Sequence, residues 1–147
     1  MRILSFSIIV AICLTLSTQD SEAHHAFAAE FNADAPVALE GKVVKIEWIN
    51  PHAWVHLEVI EDDGSAQVWM VEGGTPNTLL RAGINKNTVQ PGTEIKVTGY
   101  QSKDGLCLPA CKANGRNLTL ADGTDMFMGS SGTGAPRDGL DPRERKR

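Results

Sequence analysis

Residues 37–72 place apolar and polar side chains in alternation with a period of two, which is the pattern of half-buried strands and is incompatible with an amphipathic helix. Val37, Leu39, Gly41 and Val43 hold one phase, and Val44, Ile46 and Trp48 hold the other. A change of phase beside a glycine predicts a bulge or sharp bend, which lets one long strand curl around a core. Pro51 ends this first strand. A second follows over residues 53–60, with Val55, Leu57 and Val59 on one face, and a third over residues 66–72 after a turn at Asp63-Gly64. Centring a two-residue turn there pairs Glu58 with Trp69 and His56 with Val71. That register predicts a core face of Val55, Leu57, Val59, Val68 and Met70, and an opposite face of Trp54, His56, Glu58, Trp69 and Val71.

Beyond the third strand, Thr75 suits a helix N-cap, Pro76 the first helical position, Leu79 and Leu80 a buried stripe and Gly83 the stop. Residues 91–102 alternate around Ile95 and Val97, and residues 117–129 hold a last strand and a hairpin turn at Asp122-Gly123. The fold class is therefore all-β with one short helix. The order β-β-β-α-β-β with a bent first strand predicts a five-stranded OB-like Greek-key barrel, with a small sandwich as the alternative.

The N-terminus sets the compartment. Arg2, an apolar run over residues 3–17 and small residues at Ser21 and Ala23 predict a signal peptide over residues 1–23, cleaved near Ala23. The run is too short to span a bilayer comfortably, so no transmembrane span is expected in the mature protein. Bulky Ile12 before Cys13 disfavours a lipid anchor. The expected location is periplasmic or secreted. Residues 24–36 then form an arm of one or two helical turns stopped by Pro36, residues 37–129 the domain, and residues 130–147 a disordered Gly/Ser-rich and basic tail. Residues 24–135 carry 8 basic and 13 acidic side chains, which excludes nucleic acid as the natural partner because phosphate neutralisation drives that affinity. Cys107 and Cys111 are the cysteines left after cleavage, and in an oxidising compartment they predict a disulfide that staples a loop.

All four histidines fall in two clusters, His24 with His25 and His52 with His56. Cleavage after Ala23 makes His24 the mature terminus, where its α-amino group and imidazole can chelate copper, or zinc, with His25 or a further imidazole. His52 and His56 are about 13 Å apart along an extended strand, too far to share one ion unless the chain bends at Pro51. The plainer alternative makes all four solvated surface residues. Trp54, His56, Glu58 and Trp69, with Asn50 and His52 of the turn, predict a platform for a small ligand, peptide or oligosaccharide. Phe27 and Phe31 of the arm folding over the tryptophans is the competing account. His56 and Glu58 share a face, yet no nucleophile motif, carboxylate pair or phosphate loop is present, so no catalytic residue and no enzymatic activity are expected.

The segments "HHAFAAEF", "GKVVKIEWINPHAWVHLEV", "WMVEGGTPNTLLRAG" and "PGTEIKVTGY" together resemble a family of small, signal-peptide-bearing bacterial proteins of unknown function, marked by H-H-x-F and N-P-H-x-W motifs. The resemblance runs from His24 to about Gly129 and implies a periplasmic or secreted bacterial protein, with no activity attached. The "CLPAC" segment departs from the pattern. The expectation is an exported, non-enzymatic binding or accessory module working through the second and third strands and the NPH turn, with a copper or zinc protein using His24 and His25 plus His52 or His56 as the alternative.

Overall fold

The computed structural model describes residues 26–146, so the expected signal peptide, His24 and His25 lie outside the described residues. A one-turn helix α1 (Ala26–Glu30) runs directly into β1 (Phe31–Glu47). There follow β2 (Trp54–Ile60), β3 (Ala66–Glu72), helix α2 (Pro76–Arg81), β4 (Glu94–Ser102), β5 (Cys111–Leu120) and a short β6 (Asp125–Phe127). The class is all-β with little helix, and β6 is a sixth strand beyond the expected five. Neighbours run β3-β2-β1-β4-β5-β6 and are antiparallel, and a parallel pairing of β3 with β5 joins the two sides. The five long strands thus form a closed ring of pairings.

β1 is the strand that turns the corner. Residues 36–42 pair with β4, and from Gly41 onward β2 joins on the other side, with Val43 opposite Leu57. The register breaks between Val43 and Lys45, where the change of phase predicted a bulge, and Val44 is pushed outward, 41% exposed. Gly41 permits the approach of β2, since a Cβ there would lie 2.1 Å from the Glu58 carbonyl oxygen. The strand begins at Phe31, not after Pro36 as expected. Pro36 sits at a register irregularity, where β1 has β4 as its single neighbour, so its missing N–H is tolerated.

The β2–β3 hairpin departs from the predicted register by one residue. Leu57 faces Trp69, His56 faces Met70 and Glu58 faces Val68. The loop is three residues, Asp62-Asp63-Gly64, closed by Glu61 N–H to Ser65 O at 2.9 Å and Gly64 N–H to Glu61 O at 2.8 Å, with Gly64 at φ 83°. A side-chain period of two turns that one residue into a change of face for β3. Trp69 and Val71 are therefore buried with Val55 and Leu57, while Val68 and Met70 take the outer face with Trp54, His56 and Glu58.

Inside the ring, Leu39, Val43, Ile95, Val97, Ala113 and Leu118 complete the core. Helix α2 plugs it with Leu79, which is fully buried; Leu80, expected beside it, is 52% exposed because a single turn-and-a-half of helix presents one narrow face. Thr75 caps α2, its side chain accepting from Thr78 N–H at 3.2 Å, and Pro76 opens the helix as expected. Cys107 and Cys111 are disulfide-bonded, and buried Cys111 opens β5, six residues before the predicted start of that strand. The C-terminal segment lies against the ring. Buried Arg116 donates to Asp138 at 2.9 and 3.1 Å and stacks over Phe127, and Ser131 Oγ donates to buried Asp141 at 2.8 Å.

Candidate functional site

Register places four outer-face residues in one row across neighbouring strands. Trp54 of β2 faces Glu72 of β3, Glu72 faces Asn114 of β5, and Asn114 faces Tyr100 of β4. Residues directly opposite one another share a face, so these side chains line one end of the ring's exterior. Helix α1 lies across this row. Phe27 packs edge-on against Tyr100 at 5.5 Å and tilts against Phe31 at 5.8 Å, and both phenylalanines are buried. The arm folds back onto Tyr100, whereas the covering account had it over Trp54 and Trp69, the latter of which lies in the core. It is held there from two sides, by Phe27 N–H to Thr133 O at 3.1 Å and by Lys103 N–H to Glu30 O at 2.8 Å.

Cover by α1 is incomplete, and a cavity of about 420 Å³ remains between the arm, the NPH turn and β2. Asn50, Pro51, His52, Trp54, Glu72 and Asn114 line it on the domain side, and Phe27, Glu30 and Phe31 on the arm side. His52 Nδ1 lies 2.7 Å from Glu72 Oε1, and Asn114 Nδ2 donates to the same oxygen at 3.4 Å. Glu72 is only 5% exposed. Burial pushes its carboxyl above the usual range; His52 and Asn114 pull the other way, and the nearby Glu30 charge adds to the rise. A histidine whose Nδ1 is bonded to a carboxylate presents Nε2 as its second functional nitrogen.

His56 belongs to a different cluster. It pairs across β1 with Lys45, and its Nε2 is 3.6 Å from Glu47 Oε1, beyond hydrogen-bonding distance. Burial holds the His56 imidazole below its ordinary range, against the pull of the Glu47 charge, so it is neutral at neutral pH. Glu47 itself binds Lys45 Nζ. The two histidines thus have separate carboxylate partners. Among the described residues no three His, Cys, Asp or Glu side chains come together in a way that could hold a metal ion.

Of the six residues predicted to bind ligand, Asn50, His52 and Trp54 meet in one cavity. Glu58 is displaced to a groove of about 820 Å³ that it shares with Lys42, Glu94 and Lys96. Trp69 is in the core, the consequence of the hairpin register. Glu72 and Asn114 escaped the sequence reading: Glu72 ends an alternating strand as any exposed glutamate would, and the parallel pairing with β5 that buries it has no local signature.

Residues 12–109 match DUF6152, a family of unknown function. The chain belongs to DUF6152. The match takes in the NPH turn, Trp54 and Glu72, and stops short of Cys111, Asn114 and Arg116, so it ends earlier than the resemblance, which ran to about Gly129. No curated protein matches the chain. No helix among the described residues is long and apolar enough to cross a membrane.

Proposed function

We propose that this chain is an exported bacterial binding module, acting by recognition and not by catalysis, whose ligand occupies the cavity between α1, the NPH turn and β2. The carrying observation is that Asn50, His52 and Trp54, residues of one turn and the strand after it, line a single cavity with a buried, hydrogen-bonded carboxylate at its base. The ring of pairings supports the OB-like reading, in which the outer faces of such strands carry ligands. The signal-like N-terminus supports export. A fragment screen followed by protein amide NMR tests the site. Binding should shift the resonances of residues around His52, Trp54 and Glu72 and be lost in Trp54→Ala; shifts confined to the Glu58 groove would overturn it. Intact mass of protein recovered from the periplasm should correspond to a chain starting at His24.

A copper or zinc site is a second reading, favoured by the His52–Glu72 bond, since a carboxylate on Nδ1 orients an imidazole for metal binding through Nε2. His24 and His25 precede α1, whose Phe27 lines the same cavity. On this reading bound copper is retained in His56→Ala and lost in His52→Ala and in His24→Ala. Copper retained by His52→Ala would exclude it.

A further inference from the structure

We propose that the ligand of the α1–NPH cavity is an organic ammonium ion, an inference that rests on the binding reading above and gives its ligand a chemical class. Among the described residues no lysine or arginine lines the cavity, whereas two carboxylates, Glu30 and Glu72, do. Glu72 is held in place through one oxygen: Oε1 takes both the His52 and the Asn114 bonds, and no described residue hydrogen-bonds Oε2. A carboxylate that is buried, oriented and half used, with a second negative charge nearby, is an electrostatic arrangement that a cation relieves. Burial, and to a lesser extent the Glu30 charge, raises the Glu72 pKa against the opposing pull of His52 and Asn114, in keeping with that arrangement.

The remaining walls favour an organic cation over a bare metal ion. Trp54, Phe27 and Phe31 supply aromatic surface, and an ammonium group over such rings is attracted by their quadrupoles, most strongly by tryptophan. A volume of about 420 Å³ admits a molecule of many heavy atoms and far exceeds one ion. The exposed portion of Trp54 and the Glu72 carboxylate would thus act together, the ring on the alkyl-ammonium face and the carboxylate on its charge.

Titration calorimetry with choline, and with putrescine as a primary diamine, tests this against 3,3-dimethylbutan-1-ol, the uncharged isostere of choline. At least one cation is expected to bind, with the neutral alcohol weaker than choline by about tenfold or more, the ratio that a single charge-assisted contact supplies. Glu72→Gln should remove that discrimination while keeping the fold, checked by circular dichroism. Glu30→Gln, at an exposed position on α1, should reduce it in part and keeps the test open if Glu72→Gln does not fold. Equal binding of choline and its alcohol, or binding of neutral fragments alone, overturns the ammonium class and leaves the binding reading standing. No binding of any probe, charged or neutral, in this cavity sinks both.

Discussion

His56, half-buried, and Glu72, buried, are titratable residues on the same outer face, and burial drives their pKa values in opposite directions. For His56 the folded value lies below the unfolded one, so the unfolded chain binds the proton more tightly. Its contribution to stability is complete above the unfolded value of about 6.5 and is lost as pH falls toward the folded value. Urea unfolding at pH 7.5 and pH 5 should therefore show a smaller acid loss in His56→Gln than in the wild type; an equal loss would show that His56 does not control this window. For Glu72 the folded value is raised, so its contribution is present below the unfolded carboxylate value and lost as pH rises through the folded one. Glu72→Gln should accordingly stabilise the fold at pH 7.5, by on the order of 1 kcal/mol, as removal of a buried charge at a binding site commonly does. A melting temperature unchanged or lowered by the substitution at that pH would contradict it.

At the scale of elements, adjacent leucines in α2 give a controlled comparison. Leu79→Ala should cost about 2–5 kcal/mol, the range for truncating a buried leucine, and Leu80→Ala less than about 0.5 kcal/mol, as both would show in denaturant midpoints. The pattern of the short helix was legible at its ends, because Thr75, Pro76 and Gly83 act through local backbone chemistry. Which leucine points inward was not legible, because that depends on how the helix is rotated over the ring. The hairpin teaches the same lesson more sharply. Asp63-Gly64 marks the turn correctly, but a two-residue and a three-residue loop fit the same letters, and they place β3 on opposite faces. Deleting Asp62 would impose the shorter loop and turn Val68 and Met70 inward; the expected outcome is loss of cooperative unfolding. A variant that unfolds as sharply as the wild type would mean the turn does not set the register.

Across the whole molecule the two ends of the described chain meet at the cavity. Thr133 accepts from Phe27 N–H and lines the cavity, and the segment carrying it is pinned by Asp138 on Arg116 and by Asp141 on Ser131. Burial opposes ionisation of Asp138, yet the bonds from Arg116 hold its carboxyl below the usual range. Asp138→Ala leaves a buried guanidinium without its partner and should cost about 3 kcal/mol. Amide exchange in α1 should quicken in the same variant; unchanged protection there would separate the tail from the arm. By itself the sequence determined the strand class, the irregularity in β1 near Val44, the caps of α2 and the disulfide, because each follows from contacts between residues near in sequence. Only the tertiary structure decided that Trp69 is core, that His52 and His56 answer to different carboxylates, and that Glu72 and Asn114 meet under the arm. Those outcomes hang on strand register and on a parallel pairing between distant strands, where a single residue of loop length changes which side chains meet.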